Sequence, residues 1–308
     1  NWTGARGADF RQKGVGSWLN ASGYRSSQLS CDNARKWPIF RKRAYTWSVG
    51  MILRSVVFAD AATLVNPEPA FKLFLRTQGS VSKPYQPILQ PTHSHLAGEL
   101  AARLIPETFG PLPVEAIEAA RQHDYGWISS DTKQLRIESE QTLRPFPQLA
   151  PDETIPSWKD CIRLAESTSP LVGVLVSRHF CMLAADAEYP IHARFKDEET
   201  ARRQDIERRL PHCSVDLDRW AAAVGFCDLL SLYLCSGTRE PAEFSFCHPA
   251  DRGARKQARK TILTWRGDCL HFEPAVIVPG TRVSQYVMTI NSADGQNYGA
   301  VTLRWEFN

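Results

Sequence analysis

From Leu96 onward, apolar side chains recur at three- and four-residue intervals, at Leu96, Ala97, Leu100, Ala101 and Leu104. That spacing lines one face of an α-helix, so the pattern predicts a helix from about Thr92 that Pro106 terminates. His93 stands three residues before Leu96 and shares its face. A second helix is predicted to open at Pro113, because a first helical turn leaves unpaired the N–H that proline lacks. Its apolar positions Val114, Ile117, Ala119 and Ala120 run into His123-Asp124-Tyr125-Gly126-Trp127. Adjacent residues on a helix point about 100° apart, so His123 and Asp124 can serve one ion together only at a helix end, where the backbone bends. Gly126 is expected to make that end in the left-handed conformation that glycine adopts cheaply.

Prolines and polar residues break the periodicity from Ser129 to about Pro156, which predicts a long loop facing a substrate. The third helix begins at Ser169-Pro170 and continues through Leu171-Val172-Gly173-Val174-Leu175-Val176. It is apolar nearly all round, as expected of a helix running through the middle of a domain. Residues 197 to 210 alternate charge signs at helix-pairing spacings and predict a solvated helix, not a nucleic-acid-binding stripe. A fifth helix, capped by Ser214, aligns Leu217, Ala221, Val224, Asp228, Ser231 and Cys235 on one seam, in which Asp228 is the anomaly.

Past Gly237 the pattern becomes strand-like, at Thr261–Trp265, Cys269–Phe272, Gln285–Ile290 and Ala300–Trp305, with Arg266-Gly267-Asp268 and Ala293-Asp294-Gly295 as expected turns. The expected fold is therefore mainly α: a helical bundle over residues 86–240 with a small antiparallel β-sheet appendage at the C-terminus, residues 241–308. Residues 51–85 are expected to form short strands and irregular segments, broken by Pro67, Pro69 and Pro84.

Composition adds a boundary and an exclusion. The net charge of +4 is carried by residues 1–50, which hold nine Lys/Arg against two Asp/Glu and leave 28 against 31 for the remainder. That basic segment, with Arg41-Lys42-Arg43, lacks periodicity and reads as a flexible or mis-started leader, and the native protein is expected to begin near Met51. The longest apolar stretch, Leu171 to Ala185, is interrupted by Ser177, Arg178 and His179, so no membrane span is expected. Eight cysteines without a C-x-x-C pair read as reduced core residues of a cytoplasmic protein.

His93, His123, Asp124, His179 and Asp228 sit where their helices should present apolar side chains to a core. A buried carboxylate requires a cation or a dense set of hydrogen bonds, and one metal ion would satisfy all five. Imidazole with carboxylate suits Mn, Fe, Zn, Ni or Co. Taken singly, His179 also reads as a core histidine, and Asp228 as a helix cap or a partner of Arg178 or Arg219. His95, His192, His212, His248 and His271 are expected at the surface or around the site.

The order H, HD, H, D on successive helices resembles the HD-domain superfamily of metal-dependent phosphohydrolases, with His93 as first histidine, His123-Asp124 as signature pair and Asp228 as late aspartate. More narrowly, the segments His93-Ser94-His95-Leu96-Ala97-Gly98, His123–Trp127, Ser177-Arg178-His179-Phe180 and Asp228–Cys235 resemble a bacterial domain-of-unknown-function family, family 3891. The resemblance implies an HD-type helical bundle and one or two divalent metal ions per chain, Mg included. It implies hydrolysis of small phosphorylated substrates, phosphomonoesters or phosphodiesters, nucleotides among them. His179 is then a ligand of a second metal or a general acid, Asp124 a catalytic carboxylate, and Arg178 and Arg121 contacts for phosphate. A di-iron oxygenase and an inactive metal-stabilised binding domain are the alternatives.

Overall fold

Small residues set how closely the central helices approach. The computed structural model describes residues 51–55, 68–79, 85–136, 145–185, 189–211, 214–246, 259–290 and 298–308. Helix α1 spans Ala70–Gly79, α2 Gln90–Ala101, α3 Pro106–Phe109 and α4 Val114–Gln122. Helix α2 packs on α4. A side chain at Gly98 would place its Cβ 2.5 Å from Cβ of Arg121, so glycine is what lets α2 and α4 come this close. Ala116, Ala119 and Ala120 form the buried face of α4.

The chain does not leave α4 through a left-handed glycine. His123 keeps helical angles, Asp124 turns at φ −113° and ψ 17°, and Tyr125–Trp127 form a 3-10 turn that runs into α5, Ile128–Arg136. Gly126 is demanded by packing instead. A Cβ there would lie 2.4 Å from the backbone nitrogen of Cys161 and 2.6 Å from the carbonyl oxygen of Ser157.

Those two atoms belong to α6, Pro151–Thr168, whose first residues, up to Pro156, fall in the stretch expected to be a loop. The helix forms because Ile155, Trp158, Cys161, Ile162 and Ala165 bury one face and because its first turn is well provided. Pro151 occupies the first turn, and the Glu153 carboxylate accepts the Ala150 N–H at 3.0 Å. Pro156 forfeits one helical hydrogen bond, which the apolar face outweighs. The 3-10 segment Phe146–Gln148 precedes it, and residues 137–144 of the expected loop lie outside the described residues.

Helix α7, Pro170–Ala185, is buried along most of its length and packs on α6, on α8 and on α9. Helix α8, Pro190–Glu207, departs from the solvated helix expected of its charges, because His192, Phe195, Glu199, Arg203 and Ile206 are buried along one face. The charges on that face are paired internally, Glu199 accepting from Ser177 Oγ at 2.9 Å and Arg203 Nε pairing with Glu207 at 2.9 Å, while Asp197, Glu198 and Asp205 stay exposed. Helix α9, Ser214–Ser236, packs on α1, α2, α4 and α7. Leu217, Ala221, Val224, Asp228, Ser231 and Cys235 are all buried, as their seam requires.

Strands β1 (Ile52–Ser55) and β3 (Tyr85–Ile88) pair antiparallel, with Ile52 opposite Ile88. The larger sheet has the order β2-β4-β5-β6-β8-β7, with β2 at Glu68–Pro69, β4 at Ala242–Phe246, β5 at Arg259–Arg266, β6 at Cys269–Glu273, β7 at Thr281–Ile290 and β8 at Tyr298–Phe307. It is mixed, not purely antiparallel. Strand β2, supplied from before the bundle, runs parallel to β4, and β8 runs parallel to β6 through Cys269–Glu306 and Leu270–Phe307. The other junctions are antiparallel, and Gly267 at φ 63° makes the expected turn between β5 and β6. Phe226 of α9 packs among Phe109, Phe244 and Phe272, so sheet and bundle share one core.

Residues 1–50, His212, His248 and the Ala293–Gly295 turn lie outside the described residues. Among the described residues, no helix is long and apolar enough to cross a membrane.

Gly126→Ala is expected to lose about 3 kcal/mol, because the new methyl meets helix backbone that cannot rotate away. Gly267→Ala, with nothing within 4 Å of its Cβ, should lose about 1 kcal/mol through its positive φ alone. Urea unfolding followed by circular dichroism checks both, and equal losses would contradict the packing argument.

Candidate metal centre

Three helices and one helix end converge on five ionisable side chains. His93 lies on α2, His123 and Asp124 at the end of α4, His179 on α7 and Asp228 on α9. All five are buried, Asp228 being the most exposed at 8%. The ring centroids of His93 and His123 are 5.2 Å apart and those of His123 and His179 5.3 Å, both edge to face.

The hydrogen bonds behind the rings decide what the rings present. His123 Nδ1 lies 2.9 Å from the carbonyl oxygen of Ala120, which can only accept, so Nδ1 carries the hydrogen. His93 Nδ1 lies 2.9 Å from Ser231 Oγ, and that hydroxyl donates its hydrogen to the Asp228 carbonyl oxygen at 2.7 Å. His93 Nδ1 is therefore also a donor. Both imidazoles turn an Nε2 lone pair toward carboxylates: His93 Nε2 is 2.8 Å from Asp124 Oδ2, and His123 Nε2 is 3.3 Å from Asp228 Oδ1 and 3.5 Å from Asp124 Oδ2. A lone pair facing a carboxylate at these distances needs a proton or a cation between them.

The electrostatics agree. Burial alone would lower the His123 pKa, but Asp124 and Asp228 overrule it and raise it to about 9. Burial likewise pushes Asp228 up, and His123 and His179 outweigh it, leaving the carboxyl far below the usual carboxylate range. The site holds positive charge in place. Among the described residues His93, His123 and Asp228 offer one donor atom each, all within 4.8 Å of one another, a set that could hold a metal ion.

His179 approaches from the other side, with Nε2 3.4 Å from Asp228 Oδ2. Among the described residues neither of its ring nitrogens has a hydrogen-bond partner, and His123 Nε2 is in the same condition. Asp124 is fixed from behind by Trp127, whose indole N–H donates to Oδ1 at 2.9 Å. Ser94 holds the α4 end: its hydroxyl donates to the Arg121 carbonyl oxygen at 2.7 Å and accepts the Asp124 N–H at 3.3 Å. The Cys161 thiol, buried and near Asp124, is pushed well up and is inert.

Arg178 and Arg121 are turned away from this centre. Arg178 Nε donates to Glu207 at 2.8 Å and its Nη1 pairs with Asp218, while Arg121 bonds Glu99 at 2.9 Å and pairs with Glu118 at 3.4 Å. Asp228 pairs with histidines and not with Arg178 or Arg219, which binds Asp216 at 3.0 Å. His95 is exposed and His271 half-buried, but His192 is fully buried, its ring 5.7 Å from that of Trp158 and its pKa lowered by burial.

Asp131 went unread in the sequence because it falls in the stretch expected to be a loop. It lies on α5, completely buried, and its Oδ2 accepts the Gln90 N–H at 2.7 Å, capping the helix that carries His93. Burial, joined by Asp124, raises its carboxyl to about 7 against the bond from Gln90. An acid whose folded pKa is raised contributes most to stability below its unfolded value, about 3.9, and that contribution is lost as pH rises through about 7. Asp131→Asn keeps an acceptor and removes the charge, so metal-free Asp131→Asn should gain on the wild type between pH 5 and pH 8. Asp131→Ala should lose about 1 kcal/mol at pH 5 with the cap. Urea titrations at the two pH values check this, and a pH-independent gap for the Asn variant would refute it.

Comparison with known proteins places these residues in a family. No curated protein and no solved structure matches the chain. The sequence pattern described as Protein of unknown function (DUF3891) matches residues 80–277, from just before β3 to just past β6. His93, His123, Asp124, His179 and Asp228 all fall within that span, and the chain belongs to the DUF3891 family.

Proposed function

We propose that this centre binds a divalent cation in the manner of the HD-domain superfamily and that the protein is a metal-dependent hydrolase of phosphomonoesters or phosphodiesters. One observation carries the reading: two buried imidazoles, locked as Nδ1 donors by Ala120 and Ser231, aim Nε2 lone pairs at Asp124 and Asp228. A proton fills that gap in a metal-free protein, and a cation fills it better because it satisfies several lone pairs at once. The order of His93, His123-Asp124 and Asp228 along the chain supports the HD assignment.

A divalent ion supplies Lewis acidity there, lowering the pKa of a water and neutralising charge on a phosphoryl oxygen. The side chains do the rest. Asp124, held by Trp127, and Asp228 orient the attacking water. The water oxygen bonds to phosphorus as the ester P–O bond breaks, and the water's proton passes to Asp124. His179, with Nε2 3.4 Å from Asp228, hands its own proton to the departing oxygen and takes one back from solvent. Arg178 and Arg121, committed to other partners, take no part.

A second reading, oxidation of carbon with dioxygen at a di-iron centre, draws on the unpartnered ring nitrogens of His179, which could ligate a second ion. Metal content separates the two. Protein purified without added metal is expected to carry a single divalent ion, and His123→Ala to lose it. Ser231→Ala, which removes the acceptor behind His93, should weaken metal binding roughly tenfold to a hundredfold. His179→Gln should keep the ion and lose phosphoester turnover by at least about a hundredfold. Elemental analysis with a phosphoester assay reads all three. Two irons per chain, lost in His179→Gln, would replace the hydrolase with the oxygenase.

A further inference from the structure

The metal centre forms only part of its pocket, and the rest of the wall is apolar. Phe71 of α1, Phe146, Trp158 of α6, Phe180 and Leu183 of α7 and Leu232 of α9 line the same space as His93, His123, Asp124, His179 and Asp228. The cavity itself measures about 50 Å³, and about 610 Å³ when all the open space at its mouth is counted. The ring centroids of Trp158 and Phe180 lie 5.1 Å apart with their planes at 20°, an aromatic surface beside the histidines. Outside the centre the polar side chains lining the space, among the described residues, are Gln90 and Thr154, and the Thr154 hydroxyl already donates to the Ala150 carbonyl oxygen at 2.9 Å.

Among the described residues, no lysine or arginine lines this pocket. Sites for di- and triphosphates surround the phosphate chain with several cationic groups or N–H donors, since a single divalent ion cannot balance three or four negative charges. The arginines nearest the centre in sequence, Arg121 and Arg178, are held by Glu99, Glu118, Glu207 and Asp218. An apolar wall, in turn, recovers free energy only from a substrate that brings apolar surface to it.

We infer that the substrate carries one phosphoryl group and, attached to it, an uncharged aromatic or similarly apolar group that seats against Trp158, Phe180, Phe71 and Phe146, and that nucleoside di- and triphosphates are excluded. The phosphoryl half of this inference rests on the hydrolase reading. The apolar half rests on the wall alone.

Non-hydrolysable ligands keep the two apart. Manganese-loaded full-length protein is titrated calorimetrically with phenylphosphonate, methylphosphonate and a β,γ-imido nucleoside triphosphate, and phenyl phosphate turnover is measured separately. Phenylphosphonate should bind at least about tenfold more tightly than methylphosphonate, and the imidotriphosphate no more tightly than methylphosphonate. Leu183→Arg, at a half-buried position on the pocket wall, should reduce the phenyl preference at least about fivefold and strengthen imidotriphosphate binding, with Leu183→Gln as the milder variant and circular dichroism as the check on folding. Equal affinity for the two phosphonates, or tighter binding of the imidotriphosphate than of phenylphosphonate, would overturn the inference. A phenyl preference without phenyl phosphate turnover would leave it standing and remove the hydrolase reading.

Discussion

Two carboxylates, Asp124 and Asp228, are buried against the Nε2 atoms of His93 and His123, and the helices around them are arranged so that these four groups meet. Burying each carboxylate costs several kcal/mol unless opposite charge and hydrogen bonds compensate, so the pairing has to be accurate. Accuracy comes from outside the cluster. Ala120 and Ser231 fix the ring tautomers, Trp127 fixes one carboxylate, and Asp131 caps the helix that carries His93. The close approaches at Gly98 and Gly126 bring α2 to α4 and the α4 end to α6, without which the donor atoms would stand apart.

This arrangement separates two tasks between the ends of each side chain. The Nδ1 atoms belong to the scaffold and the Nε2 atoms to the site, a division that a merely structural histidine does not need. His179 differs from the other two, because among the described residues neither of its nitrogens is hydrogen-bonded, although the Asp228 carboxylate lies 3.4 Å away. That freedom suits a group that moves protons. The apolar wall beside it, with Trp158 stacked on Phe180, lowers the local polarity and strengthens whatever charge pairing occurs at the centre.

Most of the helices were legible from their apolar spacing: Pro113 opens α4 as expected and the seam of α9 appears residue for residue, whereas α2 already ends at Ala101 and Pro106 starts α3 instead of terminating α2. The candidate donors were legible for a related reason, since an ionisable residue on an apolar face contradicts its surroundings. What escaped depended on contacts distant in sequence. Helix α6 was hidden by Pro151 and Pro156, yet Pro151 suits a first turn and the buried face of Ile155, Trp158 and Cys161 outweighs Pro156. Gly126 serves the backbone of Cys161 and Ser157, a role that no local pattern encodes. Strand β2 joins β4 from before the bundle and β8 inserts parallel to β6, so a sheet read as successive hairpins along the C-terminal residues appeared antiparallel. Arg178 is adjacent to His179 in sequence but, one residue around the helix, faces Glu207 and Asp218.

X-ray absorption at the metal edge of the full-length protein, loaded with zinc or cobalt, addresses the centre most directly. The account predicts a first shell of nitrogen and oxygen atoms at about 2.0–2.2 Å with the outer-shell scattering of imidazole rings, and loss of the bound-metal signal in His123→Ala. A sulfur shell near about 2.3 Å, or a spectrum unchanged by His123→Ala, would show that the ion is held elsewhere and would contradict the account.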